Sequence, residues 1–387
     1  MLARKLKILL HSPDFPPWDG GVAAAAFDIA KYLSLFGHEV VVVAHNLTST
    51  DSNWDKQQKF KVFRVKNIGS SYIKYHLIKW ETRKVVSKMK PDILFAFNWR
   101  FSGLVCSAIK NSTGIPLVQF YHGNEIFDRR RKSKYWEKLF VSAQKNTDLT
   151  IANSRYTADA LLSTLKFPVD VDVMPLGVDL DVFKPSDNIE ALKAEMGFSG
   201  RKIILTLARI VERKKHMTVI NALRELAEVC PSVLYVIAGR GDYKEVLEAK
   251  VQELGLQDYV KFVGFVSSED KLKYYQACDV YVMPSKSCMQ SGDLEGFGLT
   301  YLEANACGKP AIGGNEGGVL DAIKEGVNGY LISPDDEFAL CEHLKDLLLD
   351  EIKYEVLSAS ALDYVKEYCS WEKISRELAE KFLVLIK

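Results

Sequence analysis

The stretch VYVMPSKSCMQSGDLEGFGLTYLEANACGKPAIGG, residues 280–314, reads as a buried strand, a glycine-bearing loop, a helix and a second buried strand. VYVMPS (280–285) and PAIGG (310–314) run apolar without alternation, as strands do when a sheet is covered on both faces. A helix between two such strands makes a parallel crossover, so the stretch is one unit of a doubly wound α/β sheet.

Working outward, the same unit recurs. KIILTLAR (202–209), LYVIAG (234–239), VKFVGF (260–265) and GYLIS (329–333) complete one series around it. A polar stretch, DLDVFKPSDNIEALKAEMGFSGRK (179–202), sets that series apart from an earlier one: KILLHS (7–12), VVVVAH (40–45), DILFAF (92–97), PLVQFYH (116–122), LTIANS (149–154) and VDVMPLG (171–177). Two doubly wound, Rossmann-like domains are expected, residues 1–182 and 183–370. A closing helix, 371–387, has Ile374, Leu378, Phe382 and Leu385 at helical spacing and is assigned to the first domain. Open parallel sheets take ligands beyond the carboxyl ends of their strands, so the expected site is the cleft between the domains, in the loops after each strand.

Composition agrees with this scale. The chain has 387 residues, 48% hydrophobic and 26% charged, enough for two or three domains' worth of core. Seven Cys, odd in number and without a CxxC pair, fit a reducing, cytoplasmic compartment rather than a disulfide framework. The start, KILLHSP, is too short for a signal peptide's apolar region, and no apolar run reaches the roughly 18 residues of a membrane span. The formal net charge of +1 conceals an asymmetry: residues 1–180 hold 26 Lys and Arg against 16 Asp and Glu, and the rest hold 25 against 34. Tyr72, Lys74, Lys79, Trp80, Arg83 and Lys84, then Arg129, Arg130, Arg131, Lys132, Lys134 and Trp136, mix cations with aromatics. Such a face either lies peripherally on an anionic membrane or is simply solvated. Without a recognised module beside it, the charge does not point to nucleic acid.

Three loops carry chemistry. In PDFPPWDGGVAAAAFDIAKYL, Gly20 and Gly21 stand between a strand and an Ala-rich helix, where backbone N–H groups can approach an anion; the spacing is neither GxGxxG nor GxxxxGK[ST]. In ARIVERKKH, Arg209 ends a strand and Arg213, Lys214 and Lys215 gather at the expected start of a helix. Cations there oppose the helix dipole unless an anion sits among them, and a diphosphate would fit. In EGFGLTYLE, Glu295 lies in the loop and Glu303 on the helix that follows. The N–H groups of Phe297, Gly298 and Leu299 are placed to receive phosphate, and the two carboxylates to accept hydrogen bonds from hydroxyls.

These motifs, in this order and over essentially the whole chain, resemble the retaining glycosyltransferases of GT-B architecture in glycosyltransferase family 4 (group 1). The resemblance is carried by PPWDGG, HGNE (122–125), NSRYTADAL, PLGVDLDVF, ARIVERKK, YVIAGRGDY, EGFGLTYLE and ANACGKPAIGGNEGGVLDAIKEGVNGYLI. It implies that Arg209 and Lys214 bind the donor diphosphate, that Glu295 contacts the transferred sugar and that Glu303 holds the donor ribose. Phe297, Gly298 and Leu299 would add backbone donors, Gly21 would face the phosphate, and His122 would lie on the sugar side as a hydrogen bonder or a base. Where the family commonly has Gly after the basic pair, this chain has Lys215.

The donor implied is a nucleoside diphosphate hexose, with GDP-mannose favoured over UDP-glucose or UDP-N-acetylglucosamine. The acceptor is a hydroxyl compound, lipid-linked or soluble. Cations and N–H donors can carry the charge of a departing diphosphate, so neither a metal nor another cofactor is expected. Asp170, Asp172, Asp179 and Asp181 are not read as metal ligands. Two rival readings share the architecture, a nucleotide-sugar epimerase and a noncatalytic sugar-nucleotide-binding protein.

Overall fold

The computed structural model describes residues 4–18, 20–46, 51–66, 71–127, 133–287 and 294–386. They form two compact units, one of residues 1–176 with 371–387 and the other of residues 177–370.

The first unit is a parallel sheet of seven strands: β1 Lys7–His11, β2 Glu39–Asn46, β3 Lys61–Lys66, β4 Ile93–Ala96, β5 Leu117–Tyr121, β6 Leu149–Ala152 and β7 Val171–Val173. Their order is β3-β2-β1-β4-β5-β6-β7. β4 and β5 are buried along their whole length, as strands must be when helices cover both faces. The order reverses between β1 and β4, which pair from Ile8 with Ile93 to His11 with Ala96. The closing helix, Trp371–Leu385, belongs to this unit. It buries Ile374, Leu378 and Phe382, packs along helix Gly21–Leu35, sets the Phe382 ring 5.3 Å from that of Phe95, and pairs Lys381 with Asp172.

The second unit repeats the plan with six parallel strands: β8 Lys202–Leu207, β9 Val233–Ala238, β10 Val260–Gly264, β11 Val280–Met283, β12 Ala311–Gly314 and β13 Gly329–Ile332, in the order β10-β9-β8-β11-β12-β13. Here the reversal falls between β8 and β11. Helices start where the sequence offers a cap: the Asp336 side chain accepts from Ala339 N–H and that of Asp350 from Lys353 N–H.

All six described cysteines are free and buried, so they act as small core residues. No helix among the described residues is long and apolar enough to cross a membrane. The basic run Arg129 to Lys132 lies outside the described residues.

Candidate active site

In the second unit the loops after β8 and β11, at the point where the strand order reverses, bring together the residues singled out on sequence grounds. Arg209 is exposed just past β8. The cations after it lie ahead of the helix rather than on it. Glu212–Lys214 forms one 3-10 turn, and helix His216–Val229 starts only after Lys215. Lys215 has φ 56°, in the left-handed region that glycine adopts most easily. Its side chain pairs with Asp335 instead of joining the cluster.

Lys214 is buried and pairs with Glu295, and the Arg213 guanidinium donates to the same carboxylate oxygen at 3.0 Å. Burial lowers the Lys214 pKa, and the charge of Glu295 works against that lowering. For Glu295, burial would raise the pKa, but Lys214 and Arg213 outweigh it, so the carboxyl is held below its ordinary range. Two cations therefore share one carboxylate, the charge of Arg209 also bears on Lys214, and the net positive charge at a strand-end crevice suits an anionic ligand.

Beyond Glu295 the backbone is fixed by contacts that exclude side chains. Gly298 takes φ 97° ahead of helix Leu299–Ala306, and a Cβ on it would run into the Tyr301 ring. Gly318 packs on the backbone of Gly296 and Phe297, too close for a Cβ, and donates its N–H to Glu295 O at 2.8 Å. The helix has no side-chain cap, which leaves its first N–H groups for a ligand. Phe297 itself is buried, so only its backbone can serve in this way.

Glu303 sits apart from Glu295. The residue is 7% exposed, and its carboxylate pairs with Lys271 and accepts from Tyr275 Oη at 2.6 Å. Edge-on and tilted ring contacts, Tyr275 to Tyr281 at 5.8 Å and Tyr281 to Tyr301 at 5.6 Å, connect its surroundings to the Glu295 loop. Arg213, Lys271 and Tyr275 are the partners that the sequence reading did not name for these carboxylates.

Gly21 and His122 belong to the first unit. Gly21 opens an uncapped helix, Gly21–Leu35. His122 is buried just after β5, with its ring 4.7 Å from those of Phe97 and Phe120. Burial lowers its pKa to about 3, so the imidazole is neutral. Neither ring nitrogen has a hydrogen-bond partner among the described residues. Asp172 is taken up by Lys381, and no group of three or more His, Cys, Asp or Glu among the described residues is placed to hold a metal ion.

The chain is similar to known proteins over nearly its whole length. Residues 19–182 match the Glycosyltransferase Family 4 pattern, and residues 188–363 match Glycosyl transferases group 1. The chain belongs to the group 1, family 4 glycosyltransferases. It is 25% identical to a GDP-mannose-dependent alpha-(1-6)-phosphatidylinositol monomannoside mannosyltransferase of Mycolicibacterium smegmatis, over 96% of this chain and 97% of that one. It is 26% identical to an alpha-monoglucosyldiacylglycerol synthase of Streptococcus pneumoniae, over 79% and 70%. The crystal structure of HepE from Anabaena with UDP superposes with a TM-score of 0.81 at 22% identity, covering 98% of this chain and 100% of that one, which establishes the same GT-B fold. The chain is thus an enzyme of sugar transfer.

Proposed function

We propose that the protein is a retaining hexosyltransferase that takes mannose from GDP-mannose and passes it to a hydroxyl of a lipid-linked acceptor. The observation that carries the reading is the pairing of Arg213 and Lys214 with the single carboxylate of Glu295, with the charge of Arg209 bearing on Lys214, beside an uncapped helix start. The names of two relatives, from Mycolicibacterium smegmatis and Corynebacterium glutamicum, support GDP-mannose over UDP-glucose and UDP-N-acetylglucosamine.

In the step proposed, the bond from the anomeric carbon to the diphosphate oxygen breaks. The acceptor oxygen bonds to that carbon from the same face, and its proton passes to the departing diphosphate. Arg209 and Lys214, with the N–H groups of Phe297, Gly298 and Leu299, carry the charge that develops on the leaving group. Glu295 holds hydroxyls of the sugar and Glu303 those of the ribose, each exchanging a protein partner for the ligand. Gly21 serves the phosphate, and His122, neutral and unpaired, serves as a hydrogen bonder to the sugar rather than a base. Because cations already do the work of a Lewis acid here, the reaction runs without a metal.

The enzyme acts in the cytoplasm, peripherally on an anionic membrane face. Exposed Tyr72, Ile73 and Trp80, with Lys84 over the Trp80 ring, support that placement. A thermal-shift panel tests the donor: at 100 times its dissociation constant a ligand stabilises by about 2.7 kcal/mol. GDP-mannose is expected to give the largest shift, and a larger one from UDP-glucose or UDP-N-acetylglucosamine would reassign the donor.

A further inference from the structure

Beneath the cation loop of the second unit a chain of polar groups crosses three strands, and none of the roles above uses it. His216, the first residue of helix His216–Val229, sets Nε2 3.4 Å from the carbonyl oxygen of Arg209 and Nδ1 3.0 Å from Tyr235 Oη. Tyr235, on β9, places that Oη 2.9 Å from Thr206 Oγ1 on β8. The Thr206 hydroxyl in turn donates to the carbonyl of Val282 on β11. All three side chains are buried, so bulk water does not supply a missing link.

The chain is one proton short. Both of its ends are carbonyl oxygens, which only accept, so the four links from Arg209 to Val282 need four protons. A neutral imidazole supplies one, and each hydroxyl supplies one more. Burial pushes the Tyr235 phenol up, so it keeps its proton. The link left unmade sets one lone pair against another. An imidazolium makes all four: Nε2–H donates to Arg209, Nδ1–H to Tyr235, Tyr235 to Thr206 and Thr206 to Val282.

Charge around the ring opposes that state. Burial lowers the His216 pKa to about 4; the Arg209 carbonyl works against the lowering, and the charge of Lys214 on the 3-10 turn adds to it. Lys214 is itself flanked by Glu295, Arg213 and Arg209. An anion beside Lys214 would offset part of the charge that keeps the fourth proton out.

We infer that His216 is a positioning residue that takes up a proton from solvent when the donor's diphosphate binds beside Lys214, and that the completed chain then fixes the Arg209 loop to β8, β9 and β11. The inference rests on the reading of Arg209 and Lys214 as the diphosphate site.

Calorimetric titration of the whole chain with GDP tests it, run in buffers of different ionisation enthalpy so that proton uptake is read directly. The proteins are the wild type, His216→Gln and Tyr235→Phe. Protons exchanged by GDP itself and by Lys214 are common to all three, so the differences report on the imidazole. At about pH 5 the wild type is expected to take up about half a proton more than either variant. Its GDP affinity is expected to tighten about threefold or more from about pH 8 to about pH 5, beyond any change in the variants, because the bound form holds the extra proton. Tyr235→Phe keeps the ring in its buried site and removes only the hydroxyl, so it reads the chain even where His216→Gln fails to fold. A purely structural role would leave uptake the same in all three proteins, and that result would overturn the inference. Uptake retained in either folded variant, or a wild-type pH dependence no steeper than theirs, would overturn it as well. GDP bound without the difference in uptake refutes this inference alone, whereas no GDP binding by the wild type refutes the diphosphate-site reading.

Discussion

At the scale of single residues, the two carboxylates of EGFGLTYLE are held by different partners and should fail differently. Glu303 is tied to Lys271 and Tyr275, Glu295 to Arg213 and Lys214. With Glu303 on the ribose, Glu303→Gln is expected to weaken free GDP and GDP-mannose alike, by about tenfold. Glu295→Gln is expected to spare free GDP and weaken GDP-mannose. Calorimetry with both ligands checks this, and equal losses in both variants would contradict the division. The depressed pKa of Glu295 means that it stays ionised through mildly acidic pH, and the stability it lends is lost only as pH falls through that lowered value. Glu295 and Glu303 stood out in the sequence by their spacing on one loop and the helix after it, and Lys214 by the run of cations that follows Arg209. Their partners were not legible, because the Arg213–Glu295, Lys271–Glu303 and Tyr275–Glu303 contacts span 82, 32 and 28 residues; the first forms once strands β8 and β11 lie side by side, the others once the helices before and after β11 meet.

At the scale of elements, continuous apolar runs exposed twelve strands to a reading of the sequence, and β3 escaped it. KVFRVK alternates cations with apolar residues, leaves Phe63 40% exposed and pairs only with β2, as an edge strand does, so it lacks the run that marks a strand buried on both faces. The closing helix showed its apolar stripe plainly, but the stripe says nothing about which surface it covers. The structure supplies the answer through Phe382 against Phe95 and Lys381 against Asp172. Phe382 is fully buried, so Phe382→Ala is expected to cost about 3–5 kcal/mol, the range for emptying an aromatic site in a packed core. Urea unfolding measures it, and a loss below about 1 kcal/mol would mean that the helix is not part of the first unit's core.

At the scale of the whole molecule, the chain divides its charge as well as its fold, basic over residues 1–180 and acidic beyond. Docking on an anionic surface through the first unit should then fade with salt, since exposed cations are worth about 1 kcal/mol each near an anionic leaflet and are screened over about 10 Å at 0.1 M salt. Co-sedimentation with acidic vesicles is expected at low salt and lost at high salt; its absence at low salt would leave the basic face merely solvated. The central claim is that Lys214 and its neighbouring cations drive departure of a nucleoside diphosphate from a sugar donor. The most direct measurement is the rate of GDP release from GDP-mannose, with EDTA present, for the wild-type chain and for Lys214→Ala. The account predicts turnover by the wild type unaffected by the chelator and a rate lower by roughly 10²-fold or more in the variant, as expected for removing a group that stabilises charge in the transition state. Equal rates in the two proteins would contradict it, and reversible loss of wild-type activity with EDTA would contradict a metal-free leaving-group site.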